Sequence, residues 1–161
     1  MRLTDVDFNF AQRVAKAALF TATKKDGQIN TMTVSWGGSG ILWGREVCFV
    51  FVRPERYTFE FCENGDTATL SFFGKEHKDT LSFCGSKSGR DVDKFCQCGL
   101  SYKMEKGACV FDDAEITVVL KKLYAQDLEE NCFVNDTCKS FYQNGGYHRM
   151  YICEVVDIIT A

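Results

Sequence analysis

Three polar segments of the chain carry residue types suited to holding a flat, phosphorylated molecule. The first, residues 30–36, combines small hydroxyl side chains with the large aromatic ring of Trp36. The second, residues 53–58, and the third, residues 84–91, supply cations and hydroxyls. A phosphate monoester is held by N–H groups, hydroxyls and a neighbouring positive charge. Together the three segments predict a site for a planar cofactor that carries a phosphate.

The candidate phosphate ligands fall into two clusters along the sequence. Arg53, Arg56 and Thr58 flank the predicted start of a helix, where the helix dipole also favours an anion. The second cluster follows the next predicted helix and brings together hydroxyls and cations: Ser86, Lys87, Ser88, Arg90 and Lys94. Each cluster also has a plainer interpretation, in which its cations are solvated or paired with nearby Asp and Glu residues.

The first polar segment allows a structural interpretation as well. Threonine is common in strands, and strand alternation would turn some of the Thr31, Thr33 and Ser35 hydroxyls outward. Trp36 could equally belong to the core, and Tyr57 could pack a helix against the sheet. The residue types alone therefore leave both interpretations open.

Familiar nucleotide and hydrolase motifs do not fit the glycine-rich segments. Residues 37–40 are predicted to form a loop after the first polar strand, but Trp43 occupies the place of the third glycine of a dinucleotide fingerprint. Neither glycine cluster forms a P-loop or a G-x-S-x-G elbow. Only two histidines are present, His77 and His148, which is little material for a histidine metal site, and no metal is predicted.

Length and composition indicate one domain with its own hydrophobic core. The chain has 161 residues, of which 45% are hydrophobic, and this fits a single domain over residues 1–161. The net charge of −3 and the lack of a basic tract argue against a nucleic-acid partner. No apolar run of about 20 residues and no secretory leader is recognisable, so we expect no membrane partner and a cytoplasmic location. The nine irregularly spaced cysteines are predicted to be reduced thiols, mostly in the core.

The predicted elements are many strands with helices inserted irregularly. Strands are predicted at residues 18–23, 29–36, 47–52, 67–73, 114–124 and 147–159. Helices are predicted at residues 8–16, 54–64, 75–84 and 91–97, with Pro54 in the first turn of the second and Gly85 ending the third. This order predicts a mainly β protein, a closed barrel with helical insertions, rather than a parallel βαβ sheet.

Five segments, taken in order, resemble the flavin reductase-like, FMN-binding split-barrel family, on its flavoredoxin side. They read NTMTVSWG at residues 30–37, VRPERYT at 52–58, TLSFF at 69–73, GSKSGRDVDK at 85–94 and YHRMY at 147–151. Their shared order is more specific than any one of them alone. The chain departs from the pattern at Cys153, where relatives often carry glycine. If that glycine allows the flavin or the partner subunit to approach the strand closely, the added side chain would alter the substrate side of the pocket or the dimer interface.

The resemblance implies a six-stranded antiparallel Greek-key split barrel that pairs as a homodimer, with FMN near the subunit interface. It implies that residues 30–35 line the isoalloxazine with Trp36 beside it, and that both cationic clusters lie near the phosphate. The implied cofactor-binding residues are Asn30, Thr31, Met32, Thr33, Val34, Ser35, Trp36, Arg53, Arg56, Thr58, Ser86, Lys87, Ser88 and Lys94. It implies no firm catalytic residue, and His148 is a weak candidate for contact with a second substrate.

The function implied by the resemblance is that of an FMN-dependent oxidoreductase, in one of three forms. The first is an NAD(P)H-dependent flavin reductase, in which the flavin takes a hydride from the nicotinamide. The second is a flavoredoxin-type electron-transfer protein that another redox protein reduces. The third is a flavin-binding or structural barrel without turnover. The missing dinucleotide fingerprint does not discriminate, because the family binds nicotinamide without one.

Overall fold

A computed structural model describes residues 1–161, and strands make up most of its regular structure. The strands are β1 (Ala18–Thr23), β2 (Ile29–Val34), β3 (Gly37–Leu42), β4 (Arg45–Val52), β5 (Thr67–Phe72), β6 (Tyr102–Glu105), β7 (Ala108–Phe111), β8 (Ile116–Asp127) and β9 (Arg149–Thr160). The α-helices are α1 (Phe10–Ala15), α2 (Tyr57–Glu63), α3 (Lys78–Ser86) and α4 (Lys94–Gln97). Short 3₁₀ turns lie at Leu3–Asp5, Lys75–His77, Glu130–Cys132 and Asp136–Tyr142. None of the helices combines the length and the apolar character that crossing a bilayer requires.

One antiparallel sheet of seven strands forms the barrel, in the order β2-β1-β5-β8-β9-β4-β3. The two edge strands, β2 and β3, are consecutive in the chain and are joined only by Ser35 and Trp36. A connection of two residues can span only a few ångströms, so the sheet must curve until the end of β2 meets the start of β3. The result is a split barrel whose seam runs between β2 and β3.

Apolar side chains that alternate along the strands fill the barrel. A cluster of 21 buried residues includes Phe20, Val50, Leu120 and Tyr151, all at most 1% exposed. A second, smaller cluster lies outside the barrel wall, where α3 and the β6–β7 hairpin cover β1: Leu19, Leu81, Cys84, Leu100, Cys109, Phe111 and Ala114. Because β1 is covered on both faces, all six of its residues are buried. This second cluster holds α3 against β2.

The six predicted strands are confirmed, but the predicted glycine loop is wrong. Residues 37–40 belong to β3, which pairs with β4 from Gly37 opposite Val50 to Leu42 opposite Arg45. Glycine has low strand propensity, yet the ladder to β4 and the Phe49 ring beside Gly38 supply the pairing that propensity does not. The sheet therefore has seven strands rather than six.

The predicted end of the third helix is also displaced, because α3 continues through Gly85 to Ser86. An ideal Cβ at Gly85 would lie 3.3 Å from Cβ of Thr33, so the glycine permits close packing of α3 on β2. The β6–β7 hairpin was not predicted, since most of β6 is exposed and polar in sequence. These differences leave the fold class unchanged.

All nine cysteines are free thiols, and five of them are buried: Cys48, Cys62, Cys84, Cys109 and Cys153. Cys153 on β9 lies directly opposite Cys48 on β4, inside the barrel core. Burial raises the pKa of both thiols to about 12, and their mutual repulsion adds to the effect at Cys48. The side chain that replaces the family glycine is therefore a protonated core thiol at a strand position.

Candidate functional site

Two adjoining cavities lie along β2, on either side of Arg56. The cavity that we call the Trp36 cavity has a volume of about 190 Å³ and is lined by residues 32–36, Phe51, Arg53, Arg56 and His148. The serine cavity has a volume of about 180 Å³ and is lined by Asn30, residues 55–58, residues 85–89 and Lys94. Because Arg56 lines both, one elongated ligand could occupy the two together.

The serine cavity lies between the start of α2 and the end of α3. In its lining, the Asn30 amide donates a hydrogen bond of 2.8 Å to the Thr58 hydroxyl, and both side chains are buried. The backbone N–H groups of Tyr57 and Thr58, in the first turn of α2, have no partner in the protein. These donors and hydroxyls match the requirements of a phosphate group.

Lys94 carries a buried ammonium at the end of the serine cavity. Its Nζ donates to the carbonyl of Thr31 at 2.8 Å and to that of Cys84 at 2.9 Å. An ammonium has three N–H donors, so one remains for a ligand. Burial is the main cause that lowers the pKa of Lys94 to about 8, and the Arg56 charge contributes.

Arg56 adds a second cation that no carboxylate neutralises. Its guanidinium donates to the carbonyls of Gly85 at 2.9 Å and Cys84 at 3.3 Å, and burial lowers its pKa. Neither Arg56 nor Lys94 takes part in a salt bridge. The single carboxylate in the lining, Glu55, lies beside Gly146 and close to Arg53. The serine cavity is therefore positive and fitted to an anion.

The Trp36 cavity has an aromatic wall. Trp36 is 45% exposed and its ring contacts those of His148 and Phe141, each with centroids 5.2 Å apart. The Nδ1 atom of His148 lies 2.7 Å from the Tyr142 hydroxyl. Arg53 donates to the Phe141 carbonyl at 2.9 Å. The 3₁₀ segment that carries Phe141 and Tyr142 thus packs behind three residues of the lining, Trp36, Arg53 and His148.

His148 is an uncharged imidazole near neutral pH. The pKa of His148 is lowered to about 4, mainly by burial and secondarily by the Arg53 charge, while Glu55 opposes the shift. The folded protein therefore resists protonation of this ring. His148 can accept or donate a hydrogen bond and present a flat face, but it cannot supply a charge.

We expect the substitution His148→Gln to reduce the loss of stability in mild acid. In wild type, the unfolded chain takes up a proton on His148 as pH falls through about 6.5, whereas the folded chain does so only near pH 4, so the free energy of unfolding declines across that window. Urea unfolding at about pH 7, 5.5 and 4.5 measures the slope. An unchanged slope in His148→Gln would contradict the assignment.

The chain matches the model of the flavin reductase like domain over residues 11–161. It belongs to this family. A comparison with curated proteins gives no match at a significant level. Nearly all of this flavin reductase-like chain is thus accounted for by a single family model.

Solved structures of the same fold include proteins of different named roles. An FMN-binding protein from Thermus thermophilus with bound p-hydroxybenzaldehyde is 19% identical with a TM-score of 0.70, over 90% of this chain and 71% of that one. Flavoredoxin of Desulfovibrio vulgaris is 18% identical with a TM-score of 0.70, over 90% of this chain and 69% of that one. The styrene monooxygenase flavin reductase of Pseudomonas putida is 15% identical with a TM-score of 0.65, over 92% of this chain and 84% of that one. At these identities the likeness establishes the split-barrel fold.

The structure brings together nearly all of the residues predicted for the site of this flavin reductase-like protein. Of the fourteen, thirteen line one of the two cavities: Asn30, Met32, Thr33, Val34, Ser35, Trp36, Arg53, Arg56, Thr58, Ser86, Lys87, Ser88 and Lys94. Thr31 lines neither, because its buried hydroxyl bonds the Thr21 hydroxyl at 2.9 Å inside the sheet. Its carbonyl, however, anchors Lys94.

Two predicted placements differ in detail. Arg53 lies in the Trp36 cavity rather than with the other phosphate candidates, because its guanidinium is held by the Phe141 carbonyl and lies 5.3 Å from the Tyr142 ring centroid. The Thr33 hydroxyl is used within the protein, donating to the Leu81 carbonyl at 2.5 Å. Both side chains take partners from distant segments, which no local pattern reveals.

Sequence reasoning missed several residues that line the cavities. Phe51, Gly85 and Gly89 were not assigned to the site, and Tyr57 was given a packing role. Strand alternation in β4 gives the signal for Phe51, since Val50 and Val52 point into the core. The glycines that flank the two serines carry a further signal, because a close approach of backbone to a ligand favours glycine.

Proposed function

We propose that this protein is an FMN-binding oxidoreductase, with the phosphate in the serine cavity and the isoalloxazine in the Trp36 cavity. One observation carries the proposal: the two cavities meet at Arg56, and one is positive while the other has an aromatic wall. A molecule with a flat ring at one end and a phosphate at the other matches this arrangement. Family membership and the FMN-binding and flavoredoxin names of proteins with this fold support it.

The cations and donors of the serine cavity would hold the phosphate. The free N–H of Lys94, the hydroxyls of Ser86 and Ser88, and the unpaired amides of the first turn of α2 are the donors. Charge-assisted hydrogen bonds of this kind are stronger than neutral ones. Lys87 is exposed and has no salt-bridge partner, so it adds long-range attraction more than a fixed contact.

The seam edge of β2 would hold the flat ring. Because β2 is an edge strand, every second residue has an N–H and a carbonyl that point away from β1 without a ladder partner. Such groups can pair with the polar edge of a flavin. Trp36 and His148 cover the ring and exclude water, which strengthens each hydrogen bond made there.

A flavin held by these residues would supply the redox chemistry, the uptake of two electrons as hydride and their transfer to an acceptor. NAD(P)H as donor would require room for a second flat ring beside the flavin. No charged acid or base is required, and the neutral state of His148 agrees with that. We therefore propose an NAD(P)H-dependent flavin reductase, in which His148 positions the second substrate without exchanging a proton.

The second copy of a homodimer would cover an apolar face on the outside of the barrel. Trp43 and Tyr124 contact each other, with centroids 6.3 Å apart, and are 59% and 41% exposed. Ile41 on β3 is 67% exposed. An apolar surface of this kind is typical of a subunit interface. Light scattering is expected to give twice the chain mass. A monomeric mass with flavin bound would count against a dimer that holds FMN near its subunit interface.

Absorbance of the purified protein, followed by anaerobic addition of NADH and then NADPH, tests the function. We expect the flavin bands near ~370 and ~450 nm, and bleaching by one or both nucleotides. Bands that persist until a reduced redox protein is added would replace the reductase by a flavoredoxin-type electron carrier. Failure to take up any flavin would overturn both, leaving a barrel without turnover.

A further inference from the structure

A cavity beside β2 is larger than either of the two cavities of the candidate site. This space, the lysine cavity, has a volume of about 490 Å³ and lies between α3 and the residues that follow α1 and β5. Thr33 lines both the lysine cavity and the Trp36 cavity. Its hydroxyl donates to the Leu81 carbonyl, so Thr33 is a fixed partition between the two. A molecule in the lysine cavity would therefore adjoin a ring seated in the Trp36 cavity.

The floor of the lysine cavity is apolar. Leu81 belongs to the small cluster outside the barrel wall, and Phe73 and Ala17 pack against that cluster. The Phe73 ring contacts that of Phe111, with centroids 5.7 Å apart, which fixes its orientation. A cavity of this size with an apolar lining and few polar groups is typical of a site for a small organic molecule. The Phe73 ring favours a flat one.

The charges of the lysine cavity are positive. Three lysines and no carboxylate line it: Lys16, Lys75 and Lys78. None of the three takes part in a salt bridge. One carboxylate, that of Glu76, lies at the rim, 3.9 Å from Nε2 of His77. The whole chain has a net charge of −3, so three unpaired cations around one apolar cavity are a local feature that attracts an anion.

Backbone strain in the lining is a separate observation at the lysine cavity. Ala17 has a φ of 77°, in the left-handed region that ordinarily takes glycine. Its N–H donates to the Val14 carbonyl at 2.9 Å, where α1 ends. Alanine keeps an apolar side chain at this residue of the lining, at a conformational cost that glycine would avoid. Strained residues of this kind cluster at ligand sites.

We infer that the lysine cavity binds an aromatic carboxylate, with its rings on Phe73 and Leu81 and its carboxylate among the three lysines. The flat apolar body matches the floor, and the single anionic group matches cations that have no partner. Binding itself does not depend on the flavin, whereas the position of the ligand beside the flavin ring rests on the proposed function. Each exposed ammonium contributes little alone, because water and salt screen surface ion pairs. The three lysines together therefore set the preference for an anion over a neutral molecule of the same shape.

Isothermal titration calorimetry of the purified full chain with naphthoate, and with naphthamide as its neutral counterpart, tests the inference. We expect naphthoate to bind about tenfold more tightly, and the difference to shrink in high salt. Lys16→Met, Lys75→Met and Lys78→Met should each weaken naphthoate about twofold, and the triple variant about tenfold, because methionine removes the charge and keeps an apolar stem. Their affinity for naphthamide should stay as in wild type. Lys25→Met, an exposed lysine in the β1–β2 turn, is the matched control and should keep the wild-type affinity for both molecules.

Ser82→Trp locates the bound molecule. Ser82 is an exposed residue of the lining, so a large ring there fills the cavity without entering the core, and both probes should lose binding. Wild-type affinities in Ser82→Trp would overturn the inference. So would equal affinities of wild type for naphthoate and naphthamide, or a loss in Lys25→Met that equals the loss in the three lining lysines.

The outcomes also separate the inference from the function beside it. Naphthoate added to the flavin-loaded protein should shift the flavin absorbance, and an unchanged spectrum would overturn the position beside the ring. The triple lysine variant should bind FMN as wild type does, since none of the three residues lines the Trp36 cavity or the serine cavity. If the purified protein takes up no flavin, the proposed function fails, while calorimetry with the two probes still decides whether the lysine cavity binds an aromatic carboxylate.

Discussion

The substitution Gly89→Ala is expected to weaken FMN binding about thirtyfold, a loss of about 2 kcal/mol. An ideal Cβ at Gly89 would lie 2.1 Å from Oδ1 of Asn30 and 3.1 Å from Cδ1 of Tyr57. Asn30 is buried and its amide is held by the Thr58 hydroxyl at 2.8 Å, so it cannot swing aside without losing that bond. Either the asparagine or the loop that carries the two serines must shift, and both shape the serine cavity.

Titration of apoprotein with FMN measures the effect, and Gly40→Ala provides the matched control. Gly40 has ordinary backbone geometry, and no atom lies within 4 Å of an ideal Cβ there. The control should bind FMN as wild type does. Thermal unfolding of both variants separates a local change from a global one. Wild-type affinity in Gly89→Ala would show that the serine cavity does not hold the phosphate.

The strands of the barrel could be predicted because each has a strong local signal. Residues 47–52 form an uninterrupted apolar run, and β4 is indeed an interior strand, paired with both β9 and β3. The strand that local reasoning lost was β3, whose glycines indicate a loop until the pairing partner is known. Its existence depends on β4, and such a tertiary contact overrides propensity. Strand β3 forms one edge of the seam. Without β3, the sequence could not predict how the sheet closes.

The candidate site could be predicted as a set of residues, but not as a geometry. Hydroxyls and cations in three segments pointed to a phosphate, and the cavities do gather them. The sequence did not reveal that Thr31 faces inward or that Arg53 reaches the segment with Phe141. Both facts depend on which segments become neighbours in space. The burial of Lys94 is of the same kind, since a lysine in a polar segment ordinarily reaches solvent.

The buried ammonium of Lys94 makes the stability of the fold depend on pH. Lys94 is 3% exposed, and its ammonium donates to two carbonyls, one of which also accepts from Arg56. The folded pKa of about 8 lies below the ordinary value of 10.5. Between these two pH values the unfolded chain binds more protons than the folded chain. The free energy of unfolding therefore rises with pH across this window, and it declines as pH falls from about 10.5 to about 8. Near neutral pH the fold therefore holds a buried charge at a cost in stability, and a phosphate bound as proposed would offset that cost.

We expect Lys94→Met to lower FMN affinity about thirtyfold at pH 7, the effect of removing a charged hydrogen-bond donor. The affinity of wild type for FMN should fall as pH rises from about 7 to 9, because the Lys94 ammonium of the unliganded protein loses its proton near pH 8. The phosphate is a dianion throughout that range, since its second pKa is about 6. Lys94→Met should therefore show no such decline.

Lys87→Met is the control that separates a buried charge from an exposed one. Lys87 also lines the serine cavity but is exposed, so its removal should weaken FMN about threefold and leave the pH profile as in wild type. Titrations of the three proteins at several pH values decide the matter. A decline that persists in Lys94→Met would place the titrating group elsewhere. If the decline in affinity is absent in Lys94→Met but present in wild type and in Lys87→Met, the buried ammonium of Lys94 is the charge that binds the phosphate.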